Sequence, residues 1–344
     1  MTAPPPAPDP ACAPPDPVTR RAARLVRWYP ASWRARYGDE FTELLLAEFA
    51  ERPRSWRRAA DVARGGLVAR LTGAGLTGHL REPSEQARAG LATAACSLAA
   101  FLIVGVAMWA QLAIGWEWAA PGAGAATAAL VAMSAAAAFL AVLALLAAIP
   151  LTWSAARAFK TKTNKERPVR RSTLCALLGS GLVVIGSRHF ANAWPGTGAH
   201  PALPHGFLPA GVAAFSWAGT LSVSSYWAHP GALAAFPAAE IAWMAVSPVA
   251  IVAAVVGVAG LVRRVGLSPR VLRYEAWLAS AAAAAMAVFL AGACCWVLAE
   301  GSGPGLFHAG TIDIASLAVM MLALSTAQRA TALARKSVLG PPPR

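Results

Sequence analysis

The fold class this sequence predicts is all-α: a polytopic membrane bundle of six spans preceded by a small cytoplasmic helical module. Three observations carry that prediction. Hydrophobic residues make up 57% of the 344 residues and charged residues only 13%, about half the roughly 25% usual for soluble domains. From Leu91 to Ala156 the only Asp, Glu, Lys or Arg is Glu117, a stretch far longer than the roughly 20 apolar residues that cross a bilayer. The basic residues fall in clusters between the apolar stretches, the pattern that membrane insertion imposes.

Residues 1–18 hold eight prolines and little that could pack, so a disordered, Pro-rich tail is expected there. The first thirty residues lack the apolar core of a secretory signal, and the amino terminus is expected to stay in the cytoplasm. Residues 19–72 then read as a three-helix module. In its first helix Ala22, Leu25, Val26 and Tyr29 share one face, with Arg20, Arg24 and Arg27 opposite, until Pro30 interrupts. Ser32 suits an N-cap for a second helix that runs to Glu51. Trp33, Tyr37, Phe41 and Leu45 line one side of it, a candidate partner-binding face, and Arg36 stands four residues before Glu40. After Pro53, Ser55 can cap a third helix that turns Trp56, Ala60, Ala63 and Leu67 inward. So small a module is marginal alone and should lean on the membrane or on the rest of the chain.

Residues 73–90 read as a linker, within which Pro83 and Ser84 are placed to start the helix feeding the first span. The membrane domain covers 91–333, with spans at about 91–116, 125–151, 172–193, 236–262, 275–299 and 311–330, and residues 334–344 form a cytoplasmic tail. The outer segment 194–235 contains Gly206 to Trp227, nearly long enough to cross but interrupted by Pro209 and a polar run. Charge decides between six and seven spans. Of the 30 Lys and Arg, 14 precede residue 89, seven lie from Arg157 to Arg171, four from Arg263 to Arg273 and four in the carboxyl-terminal stretch; Arg188 remains. Six spans put every cluster on the cytoplasmic side, with both termini inside a plasma membrane; seven would put the four-arginine loop outside. Gly206 to Trp227 is therefore read as interfacial or re-entrant.

The net charge of +14 fits basic loops that meet anionic lipid headgroups. Residues 1–88 carry 14 basic and ten acidic residues, too balanced for a nucleic-acid surface. Ionisable groups in apolar spans mark a functional site or a structural pair. Arg188, Glu240 and Asp313 fall at similar outer depth in the third, fourth and sixth spans and form a candidate outer polar cluster. It reads either as a relay or ligand site, or as an ion pair pinning helices. No metal is implied: the histidines match no ligand spacing, and the five cysteines form no CxxC pair. Small-xxx-small pairs such as Ala176 with Ser180 and Ala253 with Gly257 allow close helix packing, and Pro248 should kink the fourth span.

The chain has no phosphate loop, no GxSxG turn and no HExxH. Gly73, Gly75 and Gly78 match GxGxxG but follow a helix, without the βαβ unit that dinucleotide binding needs. No catalytic residue and no cofactor is therefore assigned, and a non-enzymatic role is expected.

The run from Trp28 to Phe41, WYPASWRARYGDEF, resembles the "YPxxxRxRYGxE" amino-terminal helical prefix found before the membrane domain of some macrolide-export-type permeases, and before many uncharacterised multispanning proteins of high-GC bacteria. The resemblance covers about residues 19–72 and implies a membrane-associated cytoplasmic module. The chain departs from those permeases, which have four spans and a large extracytoplasmic domain. Two expectations of function follow. One is a transporter-like or permease-accessory membrane subunit, with a cavity lined by Arg188, Glu240 and Asp313. The other is a membrane-anchored regulatory or scaffold protein whose helical module binds a cytoplasmic protein partner.

Overall fold

A computed structural model describes residues 16–51, 56–77, 82–114, 124–160, 166–193, 238–300 and 311–339. Every regular element among them is an α-helix. The chain divides into two compact units, Met1–His79 and Leu80–Arg344.

The first unit holds α1 (Pro17–Val26), α2 (Ala31–Glu51) and α3 (Trp56–Gly73). Proline opens α1, where its missing N–H would have no intrahelical partner in any case. α2 begins one residue before Ser32: the Pro30 carbonyl accepts from Arg34 N–H at 3.0 Å, so proline supplies the first acceptor and Ser32 lies within the first turn. Ser55 lies outside the described residues. Ala22 and Val26 of α1, Leu45 and Phe49 of α2 and Val62 of α3 form the core, with Leu25, Tyr29, Phe41 and Leu46 packed against it.

The third helix turns a different face inward from the one its apolar residues suggest. Trp56 is 76% exposed and Leu67 52%, while Arg58, Val62 and Gly66 are buried. Bonding outcompetes apolarity here. Arg58 pairs with Glu48 at 2.6 Å and lies over the Phe49 ring, whose other close cation is Arg21. Gly66 lets α3 approach Trp28 so closely that an added Cβ would lie 2.6 Å from the Trp28 Cβ. One turn on, Arg70 donates to the Trp28 carbonyl at 2.6 Å and to the Arg27 carbonyl at 2.9 Å. Those carbonyls follow the end of α1 and have no helical donor, so one guanidinium closes the helix end. Arg70→Ala should remove both bonds at a cost of about 1–2 kcal/mol. Hydrogen exchange on the full-length chain checks this as faster exchange of α1 amides, and unchanged exchange would refute it.

The second unit holds α4 (Pro83–Ile114), α5 (Gly124–Lys160), α6 (Glu166–Ala193), α7 (Ala238–Arg264), α8 (Pro269–Glu300) and α9 (Thr311–Leu339). Each contains a segment long and apolar enough to cross a membrane: Pro83–Gly105, Val131–Arg157, Pro168–Arg188, Ala245–Arg264, Pro269–Cys295 and Ser316–Leu339. This is an integral, multi-pass membrane protein. Both α5 and α7 continue through an internal proline, Pro150 and Pro248; α5 thus runs beyond its apolar stretch to Lys160. Gly206 to Trp227 lies outside the described residues.

The broadest contacts join α4 to α9, α5 to α8 and α6 to α7. Gly90 faces Ala330 and Ala334 while Gly105 faces Met320, so α4 and α9 are antiparallel. The α6 and α7 pair is antiparallel too: Arg264 bonds Pro168 and Ser172, Gly257 abuts Ala176, and Gly179 abuts Ala250 and Ala254. One core cluster holds Phe101, Met133, Leu140, Met286, Phe289 and Met320. A second gathers Ala87, Leu151, Val169, Val262, Leu272 and Ala334, one residue from each of the six helices. It brings the starts of α4, α6 and α8 together with the ends of α5, α7 and α9, so the basic residues flanking those termini lie at one end of the bundle.

Candidate functional site

α5 packs along α8 but meets α6 and α7 only narrowly, and that separation leaves a cavity of about 650 Å³. The size lies within the range of ligand sites, roughly 300–1,000 Å³. Its walls come from the basic end of the bundle: Leu91 and Leu98 of α4, Ala147 and Leu151 of α5, Thr173 and Ala176 of α6, Ala254 and Val262 of α7, and Glu275, Ala279 and Met286 of α8. Alanine dominates the wall. Because a methyl group reaches far less deeply than leucine, alanines on facing helices leave space that these backbones do not close.

Glu275 is the one ionisable residue in that lining. It is 7% exposed, and its Oε1 is buried without a hydrogen-bond partner. The two threonine hydroxyls of the lining are committed elsewhere: Thr152 donates to the Ile149 carbonyl at 2.9 Å and Thr173 to the Val169 carbonyl at 3.0 Å. A buried polar group left without a partner is costly, and far more so if charged. Glu275 therefore presents an unspent acceptor to an apolar space, the arrangement in which a bound group of opposite character gains most.

The apolar stretch alone starts the fifth span at about residue 275. α8 starts at Pro269 instead, which sets Glu275 roughly 9 Å further along the helix. The available signal was Pro269 itself, a residue suited to the first turn of a helix.

Arg188 is exposed near the end of α6, about two turns beyond Ser180 of the cavity wall, and lines neither the cavity nor the cleft described below. The side chains of Glu240 and Asp313 lie outside the described residues, although both positions are helical, in α7 and α9. In the first unit, Trp33, Tyr37 and Phe41 are brought together around Tyr29. Tyr29 stacks on Trp33 at 4.0 Å, and Trp33 meets Phe41 edge-on at 5.4 Å and Tyr37 at 5.5 Å. Leu45 is buried and Tyr37 is exposed, so this face serves the module's own packing at one end and is open at the other. Burial raises the Tyr29 phenol above its ordinary pKa, keeping it neutral within the stack. No group of three or more metal-ligating side chains occurs among the described residues.

A second cleft, of about 660 Å³, opens between α4, α6, α7 and α9 at the same basic end, with Arg171, Arg263, Arg264, Thr93, Ser97 and Thr326 among its lining residues. Arg264 is fixed there by its bonds to the Pro168 carbonyl at 2.9 Å and the Ser172 hydroxyl at 2.6 Å.

No protein-family model matches the chain, and neither does any curated protein or solved structure.

Proposed function

We propose that this protein is a transporter-like membrane subunit of the plasma membrane, with the cavity lined by all six helices of the second unit, α9 through Ala327 alone, as its ligand site. The observation that carries the reading is a cavity of about 650 Å³ in which Glu275 is the single ionisable lining residue. A helical bundle that served only as an anchor would gain from filling such a space, since close packing stabilises and voids do not. The second cleft, with three arginines in its lining, suits the anionic headgroups of cytoplasmic-leaflet lipids. The chain carries no phosphate loop, so an ATP-driven assembly would require a separate ATPase subunit.

Ligand-dependent thermal stabilisation of the full-length protein in detergent tests this reading. A compound at a hundred times its dissociation constant should add about 2.7 kcal/mol, and Ala148→Trp, which fills the cavity from an exposed position on α5, should abolish the gain. If no drug-sized apolar compound stabilises the protein, or if Ala148→Trp leaves the gain intact, the cavity is not a ligand site.

A second reading, a regulatory or scaffold protein, is favoured by a different observation. Trp56, Leu67 and Leu71 follow one stripe of α3 and are exposed, an apolar surface of the kind that marks protein or membrane contact. The two readings part on mutation. Paired Trp56→Ser and Leu67→Ser changes should abolish the cellular function of a scaffold and spare ligand binding in a transporter-like subunit.

A further inference from the structure

If the cavity is a ligand site, as proposed above, its chemistry narrows the ligand to one class. We infer that it takes lipophilic monovalent cations, which its alanine and leucine walls receive by their apolar body and Glu275 by their charge. Two independent features meet at this place. Apart from Glu275, the polar side chains of the lining are only Thr152, Thr173 and Ser180, so recognition of the ligand's body rests on apolar contact. Against that background stands one carboxyl group, 7% exposed, with its Oε1 buried and without a partner.

A neutral hydrophobe or a lipid tail would fill the space and leave that oxygen uncompensated. An anion would bring its own uncompensated charge into the apolar space beside it. A hydrated inorganic cation would find too few oxygens in the wall to replace its water shell, since hard cations take about six or more ligands. An organic cation whose charge is spread over an apolar body carries little of that hydration cost and offers the carboxylate an opposite charge. Arg88 and Arg335 do not fill this role: neither lines the cavity, and Arg335 lies 4.0 Å over the Trp277 ring.

The test uses the full-length protein in phosphatidylcholine nanodiscs, whose zwitterionic lipid carries no net charge to attract cations, and protein-free nanodiscs give the partitioning background. Binding of tetraphenylphosphonium is measured directly, and triphenylphosphine oxide, a neutral molecule of similar body, is measured by competition. Tetraphenylphosphonium should bind saturably to the wild type. Glu275→Gln should weaken it by roughly tenfold or more, the loss expected when one partner of a buried charge pair is truncated. The same change should leave triphenylphosphine oxide within about twofold. Glu275→Asp keeps the charge and should retain most of the cation affinity, which separates a charge effect from damage to the fold.

Equal tetraphenylphosphonium affinity in the wild type and in Glu275→Gln would overturn the inference. If at the same time Ala148→Trp weakens both probes, the cavity reading survives and only the cation preference is lost. Ala148→Trp leaving both probes unchanged, or no saturable binding of either by the wild type, would remove the cavity reading and the inference together.

Discussion

Gly257→Val should destabilise the membrane unit by about 3 kcal/mol or more, the upper range of the cost of overpacking. At Gly257 an added Cβ would meet the backbone N and Cα of Ala176, and 2.8 Å away the carbonyl oxygen of Ser172. Backbone cannot step aside as a flexible side chain can, so accommodating valine requires α6 and α7 to separate. Gly179 makes the reciprocal approach to α7, against the Ala254 backbone and, at 2.6 Å, the Ala250 carbonyl. Helices in lipid gain no hydrophobic driving force from associating, so van der Waals packing of close backbones is a main source of their affinity. Gly181 gives the control. It lies on α6, two residues from Gly179, an added Cβ there would meet nothing within 4 Å, and valine carries a slightly better helix propensity than glycine. Thermal unfolding of the detergent-solubilised protein should show a clear loss for Gly257→Val and little change for Gly181→Val. Equal midpoints for the two variants would mean that this approach does not hold the helices together.

How much of this was legible beforehand differs between the two units. Six spans follow from hydropathy because burying a backbone in lipid leaves few alternatives to the helix, and the described helices fall where the apolar stretches lie. Their ends were less legible. α5 passes Pro150 and α8 starts at Pro269, because helix length depends on the bundle as well as on the apolar segment. In the first unit the second helix is legible from its aromatic spacing, while the apolar spacing of the third points to Trp56 and Leu67, which are exposed. Apolar periodicity pointed to Trp56, Ala60, Ala63 and Leu67, but the stripe of Arg58, Val62, Gly66 and Arg70 makes the bonds and the close approach. Periodicity counts apolar surface and cannot register that an arginine fits a distant carbonyl. The pairing of Ala176 with Gly257 shows the complementary case: small-residue spacing marked both as packing positions, and the structure sets them against each other. The cavity is not legible at all, since it depends on which alanines of six helices face one another.

Reporter fusions should give an all-or-none pattern: a cytoplasm-only reporter active after Lys165 and after Arg270, and inactive after His200. The expectation rests on charge and on geometry together. Basic clusters lie from Arg157 to Arg171, from Arg263 to Arg273 and in the carboxyl-terminal stretch, and the helix termini they flank converge on one cluster containing Leu151, Val169, Val262, Leu272 and Ala334. Lys and Arg near short loops are retained in the cytoplasm, so that end is expected to be the inner one. Between α6 and α7 the geometry adds an independent constraint. Arg264 near the end of α7 bonds Pro168 near the start of α6, so the chain leaves α6 and enters α7 at the same end of the bundle. An odd number of crossings between them would require a parallel pair. An active reporter at Lys165 with an inactive one at Arg270 would mean that Gly206 to Trp227 crosses the membrane and that the six-span orientation, with both termini inside, is wrong.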